Sequence, residues 1–180
     1  ACGTITITSG VTSVTATKGS YAPNSIGAGV EGTAISVTIG GTEYASGISQ
    51  SPYEYSAPPA YTLAESTVGM IVGSDGNAYA AADKDNLPTG VTAVAMVAYK
   101  SGSNGLAIAL ADESGTMDWS TAKSTCAGKA AIGGNSWKLP TQDEWKQMFS
   151  ANGGSEGSYT GLNTALATAG GDSSKLQENR

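Results

Sequence analysis

"MDWSTAKSTCAGKAAIGGNSWKLPTQDEWKQMF", residues 117–149, carries more local structural signal than any other stretch of this chain. Asp118 stands where a helix N-cap belongs, because its short side-chain oxygen can accept a free first-turn N–H. Trp119, Ala122, Lys123 and Cys126 fall at i, i+3, i+4 and i+7, so Trp119, Ala122 and Cys126 share one face, and Gly128 provides a stop. Further on, Thr141 and Glu144 form a T-x-x-E capping box. Pro140 blocks extension backwards, Trp145, Met148 and Phe149 make one apolar face, and Gly153-Gly154 ends the element. The reading is two short helices whose indoles turn inward. These residues start and pack helices, and no chemistry is required of them.

Working outward, the stretch before these helices reads as strands. "VGMIVGSDGNAYA" (68–80) is a hairpin whose Ser74-Asp75-Gly76-Asn77 turn has the Asp-Gly pair that tight turns favour. "AVAMVAY" (93–99) and "LAIALAD" (106–112) are nearly continuous apolar runs joined by "SGSNG" (101–105), as in strands covered on both faces. A third helix is expected over 161–168, with Leu162, Ala165 and Leu166 inward and Gly170-Gly171 after it. Strands followed by helices make an α+β domain, expected over residues 63–180.

The first fifty residues have a different character. "TITIT" (4–8), "VTSVTAT" (11–17) and "AISVTIGG" (34–41) alternate apolar residues with Thr or Ser, the period of a half-buried strand. "CGTITITSG" (2–10) and "AISVTIGGT" (34–42) look like two copies about thirty residues apart, separated by the turn-rich "KGSYAPNSIGAG" (18–29). They suit successive coils of a stacked β array, so residues 1–50 are expected to be a small all-β repeat remnant. "SQSPYEYSAPPAYT" (49–62), with three prolines and three tyrosines, is expected to hold the linker, over 51–62.

Composition narrows the function. Charged residues are 13% and aromatics 7%, against roughly 25% charged in an ordinary globular domain. Gly, Ser, Thr and Ala fill the difference, a balance that fits extracellular β-rich proteins. Net charge is −6 with nine scattered Lys and Arg, which argues against nucleic acid as a partner. The longest nearly apolar run, residues 91–99, is about half of what a bilayer crossing needs. Histidine is absent, removing the commonest general base and the commonest metal ligand. Two cysteines, Cys2 and Cys126, either pair or stand alone.

The segment quoted at the outset resembles the W-x-x-A-x-x-x-C … W-R-L-P-T-x-x-E-W pattern of C-type-lectin-like domains. Such domains occur in bacterial surface proteins, in relatives of the formylglycine-generating enzyme and in variable proteins of diversity-generating retroelements. The residues that match are Trp119, Ala122, Cys126, Trp137, Leu139, Pro140, Thr141, Glu144 and Trp145, with Lys138 where Arg is usual. The N-terminal copies resemble repeats found upstream of such domains in bacterial surface proteins. The resemblance implies a lectin-like scaffold over about 66–180. Family members continue past a point like Leu176-Gln177 with a ligand-forming segment and a closing strand, so a domain lacking its C-terminal part is implied.

Several groups invite a sharper reading. Trp119, Trp137 and Trp145 could make an aromatic sugar platform, but helical spacing favours core packing. Asp112, Glu113 and Asp118 could hold Ca²⁺, yet the E-P-N and W-N-D motifs of lectin sugar sites are absent, and a solvated turn is preferred. Asp75, Asn77, Asp83 and Asp85 lack the spacing of an EF-hand loop. Cys126 would be the reactive thiol of a formylglycine-generating-type enzyme, but inner-face cysteines are commonly small hydrophobes. Tyr53, Tyr55 and Tyr61 are read as pinning the linker. The expectation is a non-enzymatic, secreted or cell-surface recognition or adhesion protein. It has no cofactor and no metal, and its ligand-binding residues are not named by the sequence. Its partner is a host or bacterial surface protein or a glycan. Alternatives are a filament subunit or stalk completed by strand exchange, with self-association, and an enzyme of the formylglycine-generating type.

Overall fold

The computed structural model describes residues 4–7, 11–28, 36–40, 42–155 and 158–172. The chain divides into two compact units, Ala1–Pro58 with Asp85–Val91, and Pro59–Lys84 with Thr92–Arg180. The fold class is α+β, with three small sheets and three helices among the described residues.

The first unit is built from the alternating segments. Strands β1 (Ile5–Ile7), β3 (Val37–Ile39) and β4 (Thr42–Tyr44) form one sheet in the order β1-β3-β4. β2 (Ser13–Ala16) pairs antiparallel with β5 (Tyr53–Ser56). β1 and β3 are the two repeat copies, and they pair with each other: parallel, with Ile5 opposite Val37, Thr6 opposite Thr38 and Ile7 opposite Ile39. Like residues therefore stack on like, as in successive coils of a β array. Val37, Ile39, Ile48 and Tyr53 are buried together, with Ile7, Val14, Ile26, Tyr44 and Tyr55 packed around them. At about 1.5–3 kcal/mol for each fully buried aliphatic side chain, this cluster is the main support of a unit with little regular structure.

Two expectations need correction here. Tyr53–Ser56 is a strand of the first unit, so the expected linker at 51–62 is structured there. Tyr53 and Tyr55 alternate inward with Glu54 and Ser56 outward, the same period 2 as its partner β2. The tyrosines are packing residues: the Tyr53 and Tyr44 hydroxyls meet at 3.1 Å. In addition, Asp85–Val91 groups with the first unit, although the sequence placed it in the second domain.

The second unit carries a four-stranded antiparallel sheet in the order β7-β6-β8-β9, from β6 (Ile71–Gly73), β7 (Ala78–Tyr79), β8 (Ala93–Ser101) and β9 (Asn104–Ala109). The β6–β7 turn falls at the Asp75-Gly76 pair, with Gly76 at φ 85°. β8 is buried on both faces from Ala95 to Ala98, which explains its unbroken apolar run. α1 (Trp119–Gly128), α2 (Gln142–Ala151) and α3 (Thr160–Thr168) follow. α2 packs on β8 and α3 on α2, burying Met148, Phe149, Leu162 and Leu166. Both N-caps are made as the residues predict. Asp118 accepts from the Thr121 N–H at 2.7 Å, and Thr141 and Glu144 close a reciprocal capping box.

α1 departs from expectation. None of its residues is buried, and Trp119 is 70% exposed, with the Lys123 ammonium 5.2 Å from its ring centre. The helix has the period of an amphipathic element, but its Trp119, Ala122 and Cys126 face is not sealed in a core.

Candidate functional site

The second unit holds a groove of about 350 Å³ against one face of its sheet. Its floor comes from cross-strand partners that share a face: Val72 opposite Ala95, and Val97 opposite Ala107. The two alanines are too short to fill the space above the sheet, so a hollow remains between β8–β9 and the chain that follows α1. Leu63, Ile132 and Trp137 wall it, and Asn104, Asn135, Lys138 and Glu144 stand on its lining.

The loop bearing Trp137 is fixed by local chemistry. Ile132 and Asn135 exchange N–H···O bonds of 3.0 and 2.9 Å around Gly133 and Gly134, whose φ values are 55° and 78°. Two successive positive φ angles make a primed turn, for which Gly-Gly is suited. The turn also lies against the β6–β7 turn. A Cβ on Gly76 would come within 2.6 Å of the Gly133 Cα, so only glycine allows the approach. Beyond the turn, the Trp137 indole N–H donates to the Ala130 carbonyl at 3.0 Å, with the Lys129 ammonium 5.9 Å from the ring centre. The indole's only donor is thereby used, and what remains for a ligand is ring surface.

Electrostatics on the rim are largely settled internally. Lys138 pairs with Glu144. That contact, together with the Thr141 N–H, holds the Glu144 carboxyl below the usual carboxylate range. Glu144 is thus an ionised cap rather than a proton-transfer group near neutral pH. Lys100 donates to the carbonyls of Leu63 and Ala64 at 2.8 and 3.2 Å, tying the preceding turn to the end of the groove. Chemically, the groove offers an apolar floor, one aromatic ring and a rim of amides and hydroxyls. It is shaped for binding a ligand that presents both apolar and hydrogen-bonding surface.

Of the motif residues, Trp137, Lys138, Pro140 and Glu144 line the groove, while the other candidate site residues fall elsewhere. Trp145 stacks on Phe149 with ring centres 5.6 Å apart. Trp119 and Trp145 do not line the groove, so Trp137 is the one indole it presents. Asp118 caps α1 and Glu113 pairs with Lys129. Asp75 accepts from the Tyr79 hydroxyl at 2.6 Å and from Asn77. Burial works against its charge, but those hydrogen bonds win and its pKa is lowered. Tyr79, buried and bonded to Asp75, is pushed up to about 12. Among the described residues, no three His, Cys, Asp or Glu side chains gather as metal ligands. Cys126 is a half-buried free thiol on α1 outside the groove lining, and Cys2 lies outside the described residues. Among the described residues, no helix is long and apolar enough to cross a membrane. The groove itself was not foreseen. Its walls come from residues as far apart as Leu63 and Glu144, and only the Ala-rich strands hint that space remains above them.

Compared with known proteins, the chain matches no family model, no curated protein and no solved structure.

Proposed function

We propose that the chain is a non-enzymatic recognition or adhesion protein of a cell surface or secretion, presenting the Trp137 groove on a C-type-lectin-like scaffold. The observation that carries this reading is the groove: apolar floor, one indole, a polar rim that includes the Lys138–Glu144 ion pair, and walls fixed by the Gly76–Gly133 contact. The lectin-like assignment draws on the motif residues Trp119, Ala122, Cys126 and Trp137 to Trp145, among which Asp118-capped α1 and the α2 capping box are formed. The non-enzymatic reading draws on the position of Cys126, away from the groove. The partner is a surface protein or a glycan. An array of both kinds probed with the protein is expected to return a ligand. Trp137→Ala, which removes the central aromatic contact, is expected to weaken it about 10-fold or more, and Asn104→Ala, which removes a rim amide, to weaken it as well. A ligand held equally by both variants, or a turnover lost in Cys126→Ala, contradicts the reading.

A second reading, a stalk or filament subunit, has one observation in its favour: the in-register parallel pairing of the two N-terminal copies. Such pairing extends readily to further coils.

A further inference from the structure

The sheet of the second unit ends differently at its two edges. β7 is two residues long, and Tyr61 covers it: the Tyr61 N–H donates to the Ala78 carbonyl at 2.9 Å, and the Ala78 N–H to Tyr61 at 2.7 Å. β9 is six residues long, without charge or proline, and among the described residues it pairs only with β8. Natural sheets usually blunt such an edge with a charge, a proline or a cover.

The register says which groups that edge offers. The Leu110 N–H donates to Val94 at 3.1 Å. Antiparallel pairs alternate between bonded and non-bonded, so Ile108–Met96 is again a bonded pair. Ala107 and Ala109 occupy the non-bonded positions opposite Val97 and Ala95. Their N–H and C=O groups therefore point away from β8, and Ala107 is exposed.

We propose that two copies of this chain join through β9, antiparallel about a two-fold axis at Ile108, so that Ala107 of each pairs with Ala109 of the other. The strand is self-complementary in that register. Leu106 comes opposite Leu110, Ile108 opposite Ile108, and the two outward-facing alanines become bonded pairs that exchange about four backbone hydrogen bonds. No charge lies between Asn104 and Ala111, so a chain of net charge −6 sets no like charges against each other there. The alanines are short enough for the two groove faces to continue into one sheet without a clash at the seam. An isologous pair uses up both edges and closes. One strand on each side buries less than the roughly 1,000 Å² of a stable interface, so the dimer is weak and its population depends on concentration. The pairing rests on the β9 edge and not on the groove's ligand, but Ala107 also lies on the groove floor, so its variants are read by mass and not by ligand binding.

Sedimentation velocity of the whole chain from about 5 μM to about 1 mM tests this. The expected result is a weight-average mass that rises from one chain to two and no further. Ala107→Pro deletes only an outward N–H, which edge strands tolerate. It is expected to keep the circular dichroism spectrum and remain monomeric, and Ala107→Lys to behave likewise. Ile108→Pro, which breaks a bond to β8, is expected to lower the melting temperature. A wild-type chain that stays monomeric, a mass that grows past two chains, or a dimer that survives in folded Ala107→Lys overturns the proposal.

Discussion

The sequence favours core packing for Trp119 and Trp137 alike, yet the structure separates them. Trp119 is 70% exposed on α1, while Trp137 is half-buried against Val72, Ala95 and Val97. Helical spacing tells which residues share a face; it does not tell whether another element arrives to cover that face. Trp119→Ala is therefore expected to change unfolding free energy by no more than about 0.5 kcal/mol, as other exposed sites do. A denaturant titration that shows a loss of several times that would restore the core reading. Asp75 makes a second contrast. Its carboxylate is the acceptor of a tyrosine hydroxyl whose residue is only 1% exposed. Asp75→Ala leaves that hydroxyl without its partner and is expected to cost about 1–3 kcal/mol. Gly76→Ala places a Cβ against Gly133 at a left-handed φ, and about 1–3 kcal/mol is again expected in the same titration.

The elements most legible in the sequence were those with a chemical signature at their ends. The Thr141–Glu144 box starts α2 where the pattern says, and Glu144 reaches back to the Thr141 N–H at 2.8 Å. Thr141→Ala removes the side chain that accepts from the Glu144 N–H, and thermal unfolding is expected to show about 1 kcal/mol lost. The hairpin at Asp75-Gly76 and the two Thr-Ile copies were equally readable, because turn chemistry and period 2 are local properties. β4 and β5 were not. β4 is three residues, and the prolines around β5 mask an alternation visible only in Tyr53-Glu54-Tyr55-Ser56. What holds β5 is its pairing with β2, some forty residues earlier in the chain, and no local window contains that partner.

At the scale of the whole molecule, acid stability follows from the caps. Asp75, Asp118 and Glu144 all have pKa values lowered from ordinary values of 3.8, 3.8 and 4.5. A lowered folded pKa contributes stability that is present above the unfolded value and lost as pH falls through the folded one. Melting temperature is thus expected to drop steadily below about pH 4. With no histidine, it is expected to stay nearly flat between about pH 5.5 and 7.5. A midpoint that changes steeply within that neutral window would require a titrating group not identified among these carboxylates. The groove is also a property of this scale, since its floor, wall and rim come from three separated parts of the second unit. Its role is tested most directly with Trp137 as sole indole, by replacing Trp119 and Trp145 with Phe and titrating a ligand found on the array. The account predicts a saturable change in Trp137 emission that matches the calorimetric binding curve. Calorimetric binding with no change in that emission would contradict it.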